Sequence, residues 1–353
     1  MPEHALNKEM PALLLRWYDR SARVLPWREN PTPYRVWVSE IMLQQTRVEA
    51  VKPYYERFLA ELPTIEALAN APEEQLLKLW EGLGYYNRVR NLQKGAKQVL
   101  EEYGGELPAD FEKIRKLAGI GDYTAGAISS IAFGIPVPAV DGNVLRVTSR
   151  LTASYDDIQS PAVKKRTEQE IIELIPKDRA GDFNQSLMEL GATVCLPGGA
   201  PLCGECPLQE ICEAHKLGVE LELPVKAAKK PRRVEERTVF LITWGDAVAL
   251  RRRPERGLLA GLWELPAADG FLTEENADAQ LKEWDLSPLE IAPLPDAKHI
   301  FTHVEWRMKG FLVKVDAPCE SFAWAKPEEL LTEFPLPSAF KAFFPHFPRK
   351  TSH

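Results

Sequence analysis

The sequence lacks the patterns that mark several large classes of protein. It contains no apolar run of the roughly 20 residues needed to cross a bilayer, so no membrane-spanning helix is predicted. The first residues, MPEHALNKEM, lack the basic and apolar stretches of a secretion signal. Internal repeats and low-complexity tracts are also missing. We therefore expect an intracellular globular protein without a membrane partner.

The chain also lacks a basic excess, because its net charge is −7 over 353 residues. A protein that binds nucleic acid needs a basic face for phosphate contacts, so this balance argues mildly against such a partner. The net charge is a sum over the whole chain, however, and a local basic groove is compatible with it. The length is sufficient for two domains, each with its own core.

Cysteine is scarce, and its positions are informative. Four of the five cysteines fall in the window CLPGGAPLCGECPLQEIC, as Cys195, Cys203, Cys206 and Cys212. In a reducing compartment such clustering indicates a metal site rather than disulfides. Zinc is one option, although only Cys203 and Cys206 form a C-x-x-C pair, and four thiolates in one compact loop favour an iron–sulfur cluster. Cys319 stands alone and is predicted to be a buried thiol.

The first part of the chain has a helical pattern. From about Leu13 to about Lys216, apolar residues recur every three or four positions, as in EEQLLKLWEGL and EQEIIELI, which predicts an all-α domain. The segment LPVKAAKKPRR that follows has five basic residues, two prolines and no apolar period, which indicates a linker. We predict a helical domain at 1–217, a linker at 218–236 and a second domain at 237–353.

The second domain has a strand pattern. TVFLITW and AVALR flank Gly245-Asp246, a two-residue turn typical of a β-hairpin. HVEWRMKGFLVKV places Val304, Trp306 and Met308 on one face, as expected of a half-buried strand. We therefore predict an α+β fold for this domain.

The stretch GIGDYTAGAI contains two glycines, one residue apart, at the start of a predicted helix. A dinucleotide-binding turn needs a preceding strand and G-x-G-x-x-G spacing, and a Walker A loop needs Gly-Lys-Ser/Thr, none of which is present. Two interpretations remain. One is a helix-hairpin-helix whose backbone N–H groups bind a DNA phosphate, and the other is a tight corner between two packed helices.

The surroundings of this stretch resemble one known superfamily. LPADFEKIRKLAGIGDYTAGAISSIAFGIPVPAVDGNVLRV is similar to the helix-hairpin-helix segment, followed by an aspartate, of the endonuclease III superfamily of DNA glycosylases. The cysteine loop after ELGATVC is similar to the iron–sulfur loop of that superfamily. LPWREN, WVSEIMLQQTRV and WEGLGYYNRVRNL resemble segments of its adenine-removing (MutY) family. The resemblance covers essentially the whole chain.

This resemblance implies a monofunctional base-excision-repair enzyme. It would flip out and hydrolytically remove adenine mispaired with 8-oxoguanine, and also with guanine, while acting as a monomer on double-stranded DNA. It implies a cytoplasmic, bacterial-type protein that associates with the nucleoid through DNA. The alternative is a bifunctional helix-hairpin-helix glycosylase/lyase acting on oxidised bases.

Breaking the N-glycosidic bond of adenine calls for one protonated and one ionised carboxyl group. Glu40 lies in VWVSEIML, where apolar neighbours would raise its pKa, and Asp141 lies in VDGN, where Gly142 and Asn143 offer donors to a carboxylate. Taken singly, Glu40 is equally compatible with an ion pair to Arg28 or Arg35, and Asp141 with a helix cap. The resemblance implies that Glu40 is the proton donor and Asp141 stabilises the oxocarbenium-like sugar, with Asn143 beside it.

Tyr123 occupies the position at which the bifunctional relatives carry a lysine that forms a Schiff base with the sugar. The resemblance implies that Tyr123 instead assists transition-state stabilisation while water completes the hydrolysis. The alternative to this catalytic role is a structural one, in which Tyr123 is a buried core residue with its hydroxyl group hydrogen-bonded.

The resemblance also implies two sets of binding residues. The adenine pocket is lined, besides Glu40, by Arg23, Trp27, Arg28 and Gln185. In the contacts with DNA, Gln45 and Tyr85 would enter the base stack, Thr46 and Leu83 would lie beside the 8-oxoguanine, and Gly119 and Gly121 would form the hairpin that binds the DNA backbone. Trp27 and Tyr85 are equally compatible with core aromatics.

The C-terminal part resembles the MutT-like (Nudix-fold) domain with which this family recognises 8-oxoguanine, through GLLAGLWELP, KHIFTHVEW and FPLPSAF. Phe301, Thr302 and His303 match the family's Phe-Ser-His, with threonine in place of serine, so the hydroxyl is kept and a methyl group is added. The segment after LWELP lacks the acidic cluster that would bind magnesium, so we expect no nucleotide pyrophosphatase activity.

The cysteine loop departs from the family pattern by one residue. LPGGAPL places seven residues between the first two cysteines, where the family usually has six. Gly198 and Gly199 would absorb the extra residue as a bulge. The resemblance still implies a 4Fe-4S cluster with a structural role.

Overall fold

The structure is a computed structural model that describes residues 6–227 and 231–348. The chain divides into two compact units, residues 1–71 with 87–228 and residues 72–86 with 229–353. Part of the predicted linker, residues 228–230, lies outside the described residues. None of the described helices is both long and apolar enough to span a membrane.

The helices and strands are numbered in chain order. The α-helices are α1 (Met10–Ser21), α2 (Pro26–Glu29), α3 (Pro33–Leu43), α4 (Val48–Glu61), α5 (Ile65–Asn70), α6 (Glu73–Leu79), α7 (Asn87–Tyr103), α8 (Phe111–Arg115), α9 (Asp122–Phe133), α10 (Gly142–Leu151), α11 (Pro161–Ile172), α12 (Ala180–Thr193), α13 (Glu213–Leu217), α14 (Glu274–Glu283) and α15 (Pro327–Thr332). Short 3₁₀ helices cover Cys203–Glu205, Gln209–Ile211 and Ser338–His346. The strands are β1 (Arg233–Trp244), β2 (Ala247–Arg252), β3 (Trp263–Glu264), β4 (Ala267–Asp269), β5 (Pro288–Ile300), β6 (Val304–Val315) and β7 (Ala323–Ala325).

Small residues allow the helices of the first unit to approach closely. A Cβ on Gly126 of α9 would lie 2.0 Å from the carbonyl oxygen of Pro138, just before α10. A Cβ on Gly191 of α12 would lie 2.6 Å from the Cβ of Asn143 on α10. Neither contact leaves room for a larger side chain. The two glycines therefore bring α9, α10 and α12 together.

The GIGDYTAGAI stretch forms the turn between α8 and α9 and the beginning of α9. Gly119 has a φ of +76°, in the left-handed region that glycine adopts without strain. Ile120 is buried beneath the turn, whereas Gly121 precedes the first residue of α9 with extended backbone. The predicted helix, glycine hairpin and helix are confirmed.

The second unit contains a mixed sheet with strand order β3-β2-β1-β6-β5. β1 and β2 form the predicted antiparallel hairpin across Gly245 and Asp246, and β1 runs parallel to β6. Side chains of β1 alternate between two apolar cores, with Val239 on one face of the sheet and Phe240 on the other. Trp306 and Met308 of β6 are buried as predicted. The α+β prediction is confirmed.

Residues 72–86 pack with this second unit. Lys78 Nζ donates a hydrogen bond of 3.2 Å to the carbonyl oxygen of Leu330, and the backbone N–H of Leu336 donates one of 3.0 Å to Glu81 Oε1. The segment carries Leu83 and Tyr85, which were predicted to contact DNA. The domain bounds given above stay a prediction.

Candidate active site

A cavity of about 590 Å³ opens in the first unit, between α2, α3 and the facing helices α9, α10 and α12. Ten residues predicted from the sequence line this cavity: Arg23, Trp27, Arg28, Glu40, Gln45, Thr46, Tyr123, Asp141, Asn143 and Gln185. The structure thus brings together every predicted catalytic residue and every predicted adenine-pocket residue. A cavity of this size lies within the range of small-molecule sites.

Glu40 is buried on α3, with 6% of its surface exposed. The pKa of this carboxyl group is raised to about 7, chiefly by burial and in smaller part by the nearby Asp141 carboxylate. The hydroxyl group of Tyr123 donates a hydrogen bond of 2.6 Å to Glu40 Oε2, which lowers the pKa in part. A sizeable fraction of Glu40 is therefore protonated at neutral pH.

Asp141 caps the N-terminus of α10. Its carboxylate accepts hydrogen bonds from the backbone N–H groups of Asn143 and Val144 at 2.9 and 2.8 Å, and from the Asn143 side-chain amide at 2.7 Å. Burial raises the pKa of Asp141, and these three donors oppose the shift because they stabilise the ionised form. The two carboxyl groups therefore occupy different environments, with one O–H donor at Glu40 and three N–H donors at Asp141.

A buried ion-pair network forms one wall of the cavity. Glu189 on α12 accepts hydrogen bonds from Arg23 Nε at 2.7 Å and Arg28 Nη2 at 2.8 Å. Burial opposes ionisation, but the two arginines keep the pKa of Glu189 below its usual value. Arg28 also donates to Gln185 Oε1 at 3.2 Å. Arg28, considered above as a partner of Glu40, thus pairs with Glu189.

Glu189 and Met188 line the cavity but were not identified from the sequence. The signal was present, because Met188 and Glu189 follow Gln185 by three and four positions and share its helix face. Tyr123 has a second contact here, from its hydroxyl oxygen to Met188 Sδ at 3.6 Å. Within the described part of the chain, no lysine lines the cavity.

Two residues predicted to enter the DNA stack have unusual backbone conformations. Gln45 has a φ of +59° and Tyr85 a φ of +49°, although neither is glycine. Left-handed conformations in non-glycine residues carry strain and are enriched at functional sites. Gln45 lies at the cavity wall with Thr46, whereas Tyr85 belongs to the second unit, with 49% of its surface exposed. Leu83, two residues before Tyr85, is buried.

The predicted 8-oxoguanine loop is the turn between β5 and β6. Phe301 is partly buried there, whereas Thr302 and His303 are exposed. The hydroxyl groups of Thr302 and Tyr85 are hydrogen-bonded to each other at 2.8 Å. Tyr85, predicted to enter the DNA stack, therefore lies beside Thr302, predicted to contact 8-oxoguanine.

The four clustered cysteines line a second, small cavity of about 30 Å³ in the first unit. Burial raises the pKa of Cys203 to about 11 and that of Cys206 to about 12, and the neighbouring thiols add to both shifts. Arg150 Nη1 donates a hydrogen bond of 3.2 Å to Cys195 Sγ. Thiolates in such a place need a strong positive charge, as a metal centre provides.

The cysteine loop is connected to the first cavity by Arg146. Its Nε donates to the carbonyl oxygen of Cys195 at 2.9 Å, and its Nη2 donates to Asn143 Oδ1 at 2.9 Å. Gly198, in the segment with the extra residue, has a φ of +70°, and a hydrogen bond from Leu202 N to Val194 O closes the loop at 2.9 Å.

Known proteins resemble both units. Residues 38–177 match the family described as HhH-GPD superfamily base excision DNA repair protein, and residues 238–346 match the NUDIX domain. An adenine DNA glycosylase of Rattus norvegicus is 38% identical over 352 residues, which covers 83% of this chain and 68% of that protein. The chain belongs to the adenine DNA glycosylase family. The family member of Buchnera aphidicola subsp. Acyrthosiphon pisum is 33% identical, with 88% of each chain covered.

Solved structures agree with the predicted fold of the first unit. A thermostable thymine-DNA glycosylase is similar with a TM-score of 0.53 and 28% identity, covering 60% of this chain and 96% of that one. A non-covalent endonuclease III–DNA complex is similar with a TM-score of 0.51 and 25% identity, covering 60% and 98%. The predicted family resemblance and the two-part fold class are confirmed.

Proposed function

We propose that this chain removes adenine lying opposite 8-oxoguanine in double-stranded DNA by hydrolysis of the N-glycosidic bond, and leaves the DNA strand intact. The observation that carries the proposal is the pair of carboxyl groups in one cavity. The pKa of Glu40 is raised to about 7, and the carboxylate of Asp141 accepts hydrogen bonds from three N–H donors. An acid and an ionised carboxylate in different environments match the requirements of glycoside cleavage.

In the first step, protonated Glu40 donates its proton to a ring nitrogen of a flipped-out adenine. The bond between sugar and base then breaks, and its electron pair leaves with the base. Positive charge develops on the sugar, and the Asp141 carboxylate stabilises it electrostatically. Tyr123 keeps Glu40 in place through its 2.6 Å hydrogen bond.

In the second step, water adds to the sugar cation and its proton returns to the Glu40 carboxylate, so that the enzyme is ready for another cycle. A lyase would need an amine to attack the sugar and form a Schiff base. The cavity-lining residues of the described chain include no lysine, and Tyr123 offers only a hydroxyl group. Hydrolysis is therefore favoured over the glycosylase/lyase alternative.

The adenine pocket is supported by the same cavity. Gln185 carries both an amide donor and a carbonyl acceptor, which suits the edge of adenine. Its carbonyl oxygen already accepts from Arg28, and this bond orients the amide. Trp27 offers an aromatic face and is itself packed edge-on against Tyr55, with ring centroids 5.5 Å apart.

Recognition of the opposite base is assigned to Thr302 and Tyr85, with Phe301 and His303 on either side of the threonine. 8-Oxoguanine differs from guanine by an N–H donor and a carbonyl acceptor on its oxidised edge, and hydroxyl groups can pair with both. The exposed pair of hydroxyls at 2.8 Å supports this assignment. The duplex is gripped at the α8–α9 hairpin, where Gly119 and Gly121 leave the backbone N–H groups accessible to a phosphate.

We further propose that Cys195, Cys203, Cys206 and Cys212 hold a 4Fe-4S cluster. The donor set fits this group, because four thiols surround one cavity, and the raised pKa values of Cys203, Cys206 and Cys212 call for bound positive charge. When bound, the cluster cross-links the loop, and no electron transfer is needed for hydrolysis. Two arginines of α10 hold the loop at Cys195. Arg150 donates to its sulfur and Arg146 donates to its carbonyl oxygen.

The test is a base-release assay on duplexes containing adenine opposite 8-oxoguanine, adenine opposite guanine, or thymine glycol. We expect adenine release from the first two, with strand breakage only after alkali, and a loss of about a thousandfold in rate for Glu40→Gln. Glu66→Gln, a change of an exposed glutamate on α5, is the matched control and should leave the rate unchanged. Strand cleavage without alkali, with an adduct trapped by borohydride, would support the lyase instead.

A further inference from the structure

The loop that presents Thr302 is held by its backbone at both ends. Phe301 N donates to the carbonyl oxygen of Val304 at 2.8 Å, which closes the turn between β5 and β6. Arg233 N donates to the carbonyl oxygen of His303 at 3.0 Å, and Arg232 Nε donates to that of Phe301 at 3.1 Å. The ends of the loop are thereby tied to the beginning of β1.

Phe301 is the side chain that anchors this loop to the sheet. Its ring packs edge-on against His299, with centroids 4.6 Å apart, and against Trp306, with centroids 4.9 Å apart. Thr302, the next residue, is exposed and has a short side chain. A shift of the Phe301 ring therefore moves the Thr302 hydroxyl with it.

Trp306 in turn is the middle member of a row of three residues across the sheet. Glu235 of β1 and His299 of β5 lie directly opposite Trp306 of β6 in the strand register. The indole N–H of Trp306 donates a hydrogen bond of 2.8 Å to Glu235 Oε2, and the tryptophan is fully buried. A buried indole N–H without an acceptor is unfavourable, so the Glu235 contact fixes the ring orientation.

Two guanidinium groups complete this arrangement. Arg237 lies 4.3 Å and Arg253 lies 5.5 Å from the centre of the Trp306 ring. Both need a counter-charge in this partly buried place, and Glu235 pairs with Arg237 at 3.7 Å while the buried Glu264 pairs with Arg253. Glu235 therefore serves both the indole and a cation that covers it.

We propose that Glu235 and Trp306 are positioning residues for recognition of the base opposite adenine. They touch no substrate, and they act through Phe301, whose placement sets the position of the Thr302 hydroxyl. The inference rests on the proposed function of this loop. It predicts that disturbing Glu235 reduces the preference for 8-oxoguanine over guanine while adenine removal opposite guanine is unchanged.

The experiment compares single-turnover rates of adenine release for adenine opposite 8-oxoguanine and opposite guanine. The enzyme is in excess over the DNA but below the concentration that saturates binding. Glu235→Leu removes the acceptor of the indole N–H. It should lower the ratio of the rate opposite 8-oxoguanine to the rate opposite guanine about tenfold, because only the rate opposite 8-oxoguanine falls. Glu235→Gln keeps a carbonyl acceptor and should restore the ratio to within about twofold of wild type. Glu290→Leu, an exposed glutamate on β5 paired with Lys314, is the matched control and should behave like wild type.

Circular dichroism and a thermal melt accompany each variant. If Glu235→Leu does not fold, Trp306→Phe, which keeps an aromatic ring but loses the N–H donor, takes its place and should lower the ratio by about three- to tenfold. A ratio within about twofold of wild type in the folded variant overturns the inference, as does an equal fall in both rates, which indicates a purely structural role.

Thr302→Val in the same assay distinguishes failure of the positioning inference from failure of the proposed 8-oxoguanine recognition. If Thr302→Val loses the preference and Glu235→Leu keeps it, the positioning inference fails and the proposed function stands. If wild type itself shows no preference for 8-oxoguanine, the proposed recognition fails and the inference falls with it.

Discussion

Glu40 experiences two opposing influences on its pKa. Burial among the apolar residues of α3 favours the neutral carboxyl group, and the hydroxyl group of Tyr123 favours the carboxylate because it donates to Glu40 Oε2, which is a stronger acceptor when the group is ionised. The balance places the pKa at about 7. The acid is therefore both available for donation and able to accept a proton back in the second step.

Removal of the Tyr123 hydroxyl shifts the pH profile. In Tyr123→Phe the ionised form of Glu40 loses its donor, so the pKa of Glu40 rises above about 7 and the alkaline limb of the rate profile moves to higher pH. Single-turnover rates between pH 6 and 9 measure this limb. A limb that moves to lower pH, or stays in place, would contradict the assigned role of the hydroxyl.

The buried carboxyl group also costs stability. Its pKa of about 7 in the folded chain lies above the ordinary 4.5, so folding stability is fully present below about pH 4.5 and is lost as the pH rises through about 7. Glu40→Gln should therefore be more stable than wild type at pH 8, by up to about 3 kcal/mol in the free energy of unfolding, which raises the denaturant midpoint. At pH 4 the two midpoints should be equal. Equal midpoints at pH 8 would show that Glu40 is not desolvated.

At the scale of elements, the short turn after α3 carries local strain. Gln45 adopts a φ of +59° in this turn, a conformation that costs a non-glycine residue about 1 kcal/mol. Gln45→Gly should stabilise the protein by up to that amount and should slow adenine release, because the side chain predicted to enter the DNA stack is gone. Urea unfolding and the base-release assay, run on the same preparation, test both signs.

Helix α12 presents its polar residues to the cavity from an otherwise buried face. Glu189→Ala would leave the guanidinium groups of Arg23 and Arg28 without their shared partner, at a cost of about 3 kcal/mol in unfolding free energy. The Michaelis constant should also rise, because Arg28 no longer orients Gln185. Glu189→Gln keeps one acceptor and should lose less. Urea unfolding and steady-state kinetics measure the two effects.

The elements themselves were largely predictable from the sequence. The helical spacing before Lys216, the Gly245-Asp246 turn and the alternation around Trp306 are local patterns, and the structure has the corresponding helices, hairpin and strand. The proposed catalytic pair, Glu40 and Asp141, was singled out because its surroundings also matched a known family. Local chemistry alone left an ion pair and a helix cap as alternatives, and Asp141 is in fact a cap as well.

Long-range pairing was not predictable in the same way. Glu189 is separated from Arg23 by 166 positions and from Arg28 by 161, so no spacing in the sequence indicates that these charges meet. Likewise EEQLLKLWEGL has an ordinary helical pattern, yet Lys78 and Glu81 bond to residues about 250 positions later. Such contacts depend on the assembled fold rather than on local propensity.

At the scale of the whole molecule, apolar burial is divided rather than shared. Leu14, Phe183 and Leu187 belong to one core in the helical unit, whereas Val239 and Phe240 belong to separate cores on the two faces of the sheet. A chain with independent cores is not bound to unfold in a single step. The cooperativity of unfolding is thus a property of each unit.

This division has a consequence for heat damage. Calorimetry of this chain should show more than one transition, with a calorimetric enthalpy larger than the van 't Hoff enthalpy, and the proposed iron–sulfur cluster should be lost only in the transition of the helical unit. One transition with equal enthalpies would contradict this expectation. If the sheet unit melts first, warming would produce an enzyme that still excises adenine but no longer chooses its mispair, a mutagenic species rather than an inactive one.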